Sequence, residues 1–194
     1  MVAMNLVLAS TSPFRKQLLD KLHLEYVTDA PDIDESPLAN ESIEEMVVRL
    51  SEAKARAVAE RHPDSLIIGS DQSAELDGAP LTKPGNFENA FQQLKQASGK
   101  KIIFHTGLCL YNSRNGAVQS SCIPYTVVFK SLTDEQITHY LEIEEPYNCA
   151  GSFKSEGLGI ALFERFEGED PNALIGLPLI QLVEMLNYEG VYPV

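Results

Sequence analysis

The chain has 194 residues, of which 44% are hydrophobic, and its 28 acidic residues outnumber its 15 basic ones to give a net charge of -13. This length and composition suit one globular domain with a sizeable core. The charge argues against a nucleic acid polymer or an anionic membrane as partner, because both are negatively charged, so any anionic ligand must meet a local cluster of cations.

The cysteines and the apolar runs indicate where such a protein works. Cys109, Cys122 and Cys149 are an odd number at wide spacing, which favours neither a disulfide framework nor a zinc site. No run of about 18 apolar residues and no secretory signal is present. We therefore expect a cytoplasmic protein without a membrane span.

The first predicted helix has two cationic side chains in its first turn, which is an unusual place for them. A strand is predicted over residues 5–9, followed by a turn and a helix capped by Ser12. Arg15 and Lys16 lie in the first turn of this helix, where the helix dipole disfavours positive charge. An anion held by the helix N-terminus, the Ser10 hydroxyl and the Arg15 guanidinium would explain them. The alternative is solvated surface charge.

An acidic loop separates the next two elements. A second strand is predicted over residues 24–28, and residues 29–37 contain four carboxylates and two prolines. Such a loop is either simply solvated or contributes a carboxylate to a site for metal and phosphate. Ser42 and Glu45 form a capping box that predicts the start of a long helix.

The next stretch is the one in which the sequence most clearly indicates chemistry. Residues 66–68 form an apolar run typical of a strand covered on both faces, and Gly69 permits a close backbone approach. Asp71 is then predicted at the end of the strand, where ligands lie in α/β sheets, as a general base or a ligand for a hard cation. The alternative is that Asp71 caps a turn. Lys54, on the preceding helix, is either a surface residue or reaches into a cleft beside this strand.

The remaining elements follow from turn residues and periodicity. They are a strand over 74–76, a helix over 87–97, a long antiparallel ribbon over 101–111 and 117–129, a capped helix over 133–143, a strand over 158–166 and a final helix from 177. Lys83 precedes a proline and is held extended. The small, glycine-bounded segment 149–157 suits close approach of the backbone to a ligand.

Several short motifs together resemble the Maf family of nucleotide pyrophosphatases. They are Leu8-Ala9-Ser10-Thr11-Ser12-Pro13-Phe14-Arg15, Asp34-Glu35, Gly69-Ser70-Asp71-Gln72, Lys83-Pro84, Ala150-Gly151-Ser152-Phe153 and Gly176-Leu177-Pro178. Each motif alone is weak, but their order and spacing are specific. The resemblance covers nearly the whole chain, and residues 1–3 are expected to be an extension outside it.

The resemblance implies a fold and an activity. The expected fold class is α/β, with a mixed sheet, flanking helices and the long antiparallel ribbon, in one domain over residues 1–194 whose two lobes surround a deep cleft. The expected activity is hydrolysis of a nucleoside triphosphate to a monophosphate and pyrophosphate with a divalent cation, Mg²⁺ or Mn²⁺. The family is usually homodimeric.

Site residues follow from the same resemblance, position by position. Asp71 matches the catalytic base, and Glu35 and Asp71 are the expected metal ligands. The positions that match substrate-binding residues of the cleft are Ser10, Arg15, Glu35, Lys54 and Lys83. Lys16 stands where the family often has a second arginine, and lysine offers a point charge instead of a bidentate fork.

Three further positions bear on which nucleobase the substrate carries. Phe14, Gln72 and Glu156 resemble the branch of the family that acts on 7-methyl-GTP, whereas the branch acting on dTTP and UTP has arginine, threonine and glutamine there. Methylation at N7 makes guanine cationic, which favours an aromatic face and a carboxylate. The alternatives are that Phe14 packs the first helix against the sheet and that Glu156 is a solvated loop residue.

Two other functions stay open at this stage. One is pyrophosphatase activity on dTTP, UTP or another altered nucleotide, and the other is a nucleotide sensor without turnover that is linked to septum formation. The combination of Asp71 with Lys54, Lys83 and Glu35 favours hydrolysis, because a sensor needs the cations but no base.

Overall fold

The computed structural model describes residues 4–194, so the extension expected at residues 1–3 lies outside the described residues. The elements follow in the order β1 (Asn5–Ala9), α1 (Pro13–Asp20), β2 (Val27–Asp29), α2 (Ile43–Ala59), β3 (Ser65–Leu76), β4 (Ala79–Leu81), α3 (Phe87–Ala97), β5 (Lys101–Asn112), β6 (Val118–Phe129), α4 (Asp134–Glu144), β7 (Phe163–Glu167), α5 (Pro171–Ile175) and α6 (Leu179–Tyr188). Two short 3-10 helices, Ala150–Ser152 and Leu158–Leu162, precede β7.

The strands of residues 4–194 form a mixed seven-stranded sheet. Its order is β2-β1-β3-β5-β6-β7, with β4 paired to β3 outside this path. β1 is parallel to both β2 and β3, whereas β4 and β7 are antiparallel to their neighbours. The predicted α/β fold class with a mixed sheet is therefore confirmed. No helix in the described part of the chain is both long and apolar enough to cross a membrane.

The chain divides into two compact units. The first contains residues 4–72 together with 105–123 and 170–194, and the second contains 73–104 and 124–169. In the first unit the pleat of β3 sends alternate side chains to opposite faces. Leu66 and Ile68 join a core cluster with apolar residues of α1 and α6, whereas Ile67 packs with Ala55 and Val58 of α2. The prediction of a strand covered on both faces is confirmed.

The helix starts predicted from capping residues are also confirmed. The Ser42 hydroxyl accepts from the backbone N–H of Glu45, whose carboxylate accepts from the N–H of Ser42, and α2 begins at the next residue. Thr133 and Gln136 form the same reciprocal pair at the start of α4. Ser12 caps α1. These caps satisfy N–H groups that have no partner within the helix.

In the second unit, the 3-10 helix Leu158–Leu162 replaces the first part of the strand expected over 158–166. Only Phe163–Glu167 is a strand, because the chain turns tightly around Gly159, where a Cβ would lie 2.2 Å from the carbonyl oxygen of Lys154. The rings of Phe153 and Phe163 then pack edge to face with centroids 4.9 Å apart, and Phe129 contacts both.

The strand expected over residues 24–28 is shorter and later in the structure. β2 begins at Val27, which pairs with Val7 of β1. The hydroxyl group of the residue before it, Tyr26, donates a hydrogen bond to the Asp20 carboxylate at the end of α1. That contact keeps the preceding segment beside α1 and out of the sheet.

The end of β2 is joined to the end of α2 by a charged cluster. Asp29 accepts hydrogen bonds from Arg61 Nε and Nη2, both at 2.9 Å, and lies 2.8 Å from His62 Nε2. Hydrogen bonds from Arg61 are the main reason that the pKa of Asp29 is lowered to about 2, with a further contribution from His62.

We expect Asp29→Asn to lower the free energy of unfolding at neutral pH by about 1 kcal/mol, the usual scale for a partly exposed ion pair. Because the folded-state pKa lies below the ordinary value of 3.8, this stabilisation is complete above that value and is lost as the pH falls toward 2. Urea unfolding of both proteins at pH 6 and pH 2.5 should show the difference shrinking. An equal difference at both pH values would contradict the ion-pair account, and exposed Asp32→Asn is the matched control.

Candidate active site

Asp71 lies inside β3, and the prediction that it ends a strand is wrong. β3 continues to Leu76 and turns through Asp77 and Gly78, both with positive φ, into β4. The parallel neighbour β1 is paired with β3 up to Leu8 and Ile68. Asp71 therefore lies beyond the last residue pair that joins the two parallel strands. Of these two strands, it is β1 that ends near this point, so the expectation of a ligand at a strand's carboxyl end applies to β1 and not to β3.

A buried ion pair holds the Asp71 carboxylate in place. Lys54 of α2 donates from Nζ to Asp71 Oδ1 at 2.7 Å, and the same Nζ lies 2.9 Å from Glu35 Oε1. The Lys54 side chain is 8% exposed and that of Glu35 is 58% exposed. The alternative that Lys54 is a surface residue is therefore wrong. Among residues 4–194, Asp71 Oδ2 has no hydrogen-bond donor and is left available to a ligand or a water molecule.

Two glycines let α2 approach the sheet closely enough to form this pair. A Cβ on Gly69 would lie 2.0 Å from the carbonyl oxygen of Ser51, and a Cβ on Gly107 would lie 2.2 Å from that of Val47. Such distances are shorter than any contact between these atoms. Glycine at both positions allows the helix backbone to lie directly on β3 and β5, and α2 then brings Lys54 to Asp71.

Arg15 is fixed at the start of α1 by a backbone carbonyl. Its Nε donates to Gly176 O at 2.8 Å, and the Ser70 hydroxyl lies 2.9 Å from the same oxygen and 2.8 Å from Gly107 O. Burial lowers the pKa of Arg15, while the negative charges of Asp71 and Glu35 act in the opposite direction. A guanidinium keeps its proton in proteins, so Arg15 provides a positive charge near the two carboxylates. Neither Nη atom has an acceptor within residues 4–194.

The serines of the first turn lie beside Arg15. Ser10 is buried and its Oγ accepts from the backbone N–H of Ser12 at 3.1 Å, while Ser12 Oγ accepts from the N–H of Arg15. These contacts shape the helix N-terminus at which an anion is expected. The anion itself stays a prediction.

Gln72 points to the opposite face of β3 from Asp71. Its Nε2 lies 3.0 Å from Thr106 Oγ1, 2.8 Å from Ala173 O and 3.0 Å from Leu174 O. Sequence analysis missed Thr106 and the two carbonyl groups of α5. A buried threonine within an apolar strand and two backbone carbonyls have no side-chain signature that would have identified them.

Phe14 lies on α1 next to Arg15, with 48% of its surface exposed. An exposed ring is not buried between the helix and the sheet, which contradicts the alternative that Phe14 packs the helix against the sheet. An exposed aromatic ring in this position is available to stack on a ligand.

Lys83 and Glu156 belong to the second unit, and both are exposed. Both act on the thiol of Cys149, whose pKa is raised mainly by burial, further raised by Glu156 and lowered by Lys154 and Lys83. The charges of these two predicted site residues therefore act in opposite directions on one thiol. Their roles toward a substrate stay predictions, as do those of the site residues in the first unit.

The two expected metal ligands form a sparse donor set. Among residues 4–194, no group of three or more histidine, cysteine or acidic side chains is arranged to hold a metal ion. Glu35 and Asp71 share the Lys54 ammonium group, so both carboxylates face one position that already favours a cation. Mg²⁺ usually takes one or two carboxylates and completes its coordination with water and substrate phosphates. The residues fit a metal ion that binds together with a phosphorylated substrate.

The fold is that of an α/β protein with a mixed sheet, in which Lys54 pairs with the carboxylates of Glu35 and Asp71. The fold is similar to that of the Staphylococcus aureus Ham1 protein, with a TM-score of 0.54 and 15% identity over 95% of this chain and 99% of that chain. The sequence matches the Maf-like protein family over residues 5–189. The chain belongs to the Maf family, and the resemblance in its motifs is confirmed.

Close relatives cover almost the entire chain. A protein of Alcanivorax borkumensis named 7-methyl-GTP pyrophosphatase is 55% identical over 96% of this chain and 94% of its own length. Proteins of the same name from Pseudomonas aeruginosa and Methylobacillus flagellatus are 54% and 52% identical, each over 96% of this chain and 97% of its own length.

Proposed function

We propose that this protein hydrolyses 7-methyl-GTP to 7-methyl-GMP and pyrophosphate and so removes an altered nucleotide from the nucleotide pool. The observation that carries the proposal is the identity of 52–55% with pyrophosphatases of that name over nearly the full chain. The site geometry supports hydrolysis, because the buried Lys54–Asp71 pair holds a carboxylate whose second oxygen has no donor within residues 4–194.

The proposed reaction uses one water molecule. The water oxygen attacks the α-phosphorus, the bond between this phosphorus and the bridging oxygen to the β-phosphate breaks, and pyrophosphate leaves. Asp71 accepts the proton of the water at Oδ2 while Lys54 holds Oδ1. Arg15, whose terminal nitrogens have no acceptor within residues 4–194, neutralises phosphate charge. This neutralisation matters in a chain of net charge -13.

The base is proposed to be selected by three side chains. The exposed ring of Phe14 provides an aromatic face for the cationic 7-methylguanine, an interaction worth about 0.5–2 kcal/mol. Glu156 provides a carboxylate that accepts from N1–H and the 2-amino group, and charge-assisted hydrogen bonds add about 1.5–3 kcal/mol. Gln72 is the third of the three side chains proposed to select the base. Together these energies are sufficient for at least a tenfold preference over a neutral pyrimidine base.

Glu35 and Asp71 are the residues that would hold a divalent cation, Mg²⁺ or Mn²⁺, and a metal ion on Asp71 is the alternative to its role as the general base. When bound, the ion would neutralise charge on the triphosphate and on the departing pyrophosphate. The family also suggests a homodimer, which light scattering would test as twice the chain mass. Since its substrate belongs to the nucleotide pool, we propose that the enzyme works in the cytoplasm.

A panel of nucleotides tests the proposed function. Purified protein is incubated with 7-methyl-GTP, GTP, ATP, dTTP and UTP, and the products are separated so that pyrophosphate is distinguished from sequential release of phosphate. We expect the highest kcat/KM for 7-methyl-GTP, with pyrophosphate as the second product. A higher kcat/KM for dTTP or UTP would assign the protein to the other branch, and binding without turnover would favour a nucleotide sensor linked to septum formation.

Removal of the metal ion should abolish turnover. We expect activity to fall to background in excess chelator and to return on addition of Mg²⁺ or Mn²⁺. The positive charges of Arg15 and Lys54 are offset by the carboxylates of Glu35 and Asp71, so the side chains alone do not neutralise a triphosphate. Initial rates measure the effect, and circular dichroism in chelator confirms that the fold is retained. Activity that persists undiminished in excess chelator would show that no metal takes part.

A further inference from the structure

The side-chain amide of Gln72 has one hydrogen-bonding orientation that its surroundings permit. Its Nε2 lies within 3.0 Å of three oxygen atoms, which are Thr106 Oγ1, Ala173 O and Leu174 O. Turning the amide over would bring its carbonyl oxygen against two backbone carbonyls, which have no proton to donate. The amide is therefore held with its NH₂ group toward α5.

Thr106 contributes the side chain that completes this arrangement. It is fully buried, and its single hydroxyl proton is donated to Ala173 O at 2.8 Å. Toward Gln72 the hydroxyl therefore acts as an acceptor only. The other two acceptors belong to the backbone, so Thr106 is the member of the group that a substitution can remove.

The opposite end of the amide is left available. Gln72 is half-buried, and its Oε1 has no hydrogen-bond donor among residues 4–194. An amide held in this way presents an acceptor and no donor to a ligand. The 2-amino group of guanine has a second proton beyond the one proposed to bond to Glu156, whereas adenine has no amino group at that position, so a fixed acceptor at this edge favours guanine over adenine.

We propose that Thr106 is a positioning residue that, together with the carbonyl groups of Ala173 and Leu174, fixes the Gln72 amide with Oε1 as the end presented to the base, so that Gln72 selects a guanine edge as an acceptor. The proposal rests on the proposed function, because it assumes that the substrate base lies against Gln72. Thr106 itself touches neither the substrate nor the reacting atoms.

The test compares Thr106→Val, which keeps the shape but removes the hydroxyl, with Thr106→Ser, which keeps the hydroxyl. The ratio of kcat/KM for 7-methyl-GTP to that for ATP is measured in each, with ATP followed as a competitive inhibitor if it is not turned over. We expect Thr106→Val to lower this ratio about threefold to tenfold, the effect of one neutral hydrogen bond, and Thr106→Ser to change it less than about twofold. The kcat for 7-methyl-GTP should stay near that of the parent protein.

A second measurement reports the amide orientation without turnover. In nitrogen-15 spectra of the nucleotide-free protein, the side-chain NH₂ protons of Gln72 should exchange slowly with water in the parent and Thr106→Ser and faster in Thr106→Val. Unchanged exchange in a folded Thr106→Val variant overturns the proposal. An unchanged substrate ratio, or an equal loss for both nucleotides, overturns it as well.

These outcomes separate the inference from the proposed function. A parent protein that does not hydrolyse 7-methyl-GTP contradicts the proposed function, while the exchange measurement still decides whether Thr106 orients Gln72. Should Thr106→Val fail to fold, Thr106→Ala removes the same hydroxyl with less bulk and is measured in the same two ways.

Discussion

Asp71→Asn should fold and bind nucleotide but lose about 10² to 10⁴ in kcat, the usual contribution of a positioned general base. The amide has nearly the shape of the carboxylate and can still accept the Lys54 hydrogen bond through Oδ1. It has no basic oxygen to take a proton from water. The variant therefore changes the proposed chemistry with little change in packing.

The measurement is single-turnover and steady-state hydrolysis of 7-methyl-GTP, with nucleotide binding followed by calorimetry. Asp64→Asn is the matched control, because Asp64 is an exposed aspartate that pairs with Arg114 in a loop of the same unit. It should hydrolyse 7-methyl-GTP at the parent rate. Near-normal turnover by a folded Asp71→Asn protein would show that Asp71 is not the base.

The elements that sequence analysis predicted correctly are those with local signals. The capping residues Ser42 and Thr133 fix helix starts through contacts with residues three positions away, so a short window contains all the information. The apolar run of β3 likewise predicts, from its own residues alone, that the strand is buried. These features depend on neighbours in sequence, and they appear in the structure as expected.

Lys54 shows where such signals end. From its helix alone it is equally a surface residue or a cleft residue, and the choice depends on how closely α2 approaches β3. That distance is set by Gly69 and Gly107, which lie far from Lys54 in sequence. Thr106 is a second case, because its partners are Gln72 and the backbone of α5, which only the folded chain brings together.

The pleat of β3 also separates two proposed site residues that are adjacent in sequence. Asp71 faces α2 and its lysine, whereas Gln72 faces α5 and Thr106. The two roles proposed for these consecutive residues, proton transfer for Asp71 and base choice for Gln72, therefore belong to opposite faces of one strand. This separation explains why changes around Gln72 are expected to alter substrate preference and leave kcat for the preferred substrate nearly unchanged.

Gly69→Ala should destabilise the protein by about 3 kcal/mol or more, at the upper end of the cost of overpacking. The added Cβ would lie 2.0 Å from Ser51 O and 3.0 Å from Ala55 N. Both atoms belong to the backbone of α2, so no side-chain rotation relieves the contact and the whole helix must move away from β3. Lys54 lies between these two residues on the same helix, and its Nζ would withdraw from Asp71.

The variant should therefore lose both stability and rate. Thermal unfolding should occur roughly 6–12 °C lower, given about 2–4 °C per kcal/mol for a chain of this size. The matched control is Gly116→Ala in the turn between β5 and β6, where φ is +76° and nothing lies within 4 Å of the new Cβ. It should cost only about 1–2 kcal/mol for the left-handed backbone and leave kcat unchanged. A Gly69→Ala protein as stable and as active as this control would show that contact between α2 and β3 does not set the position of Lys54.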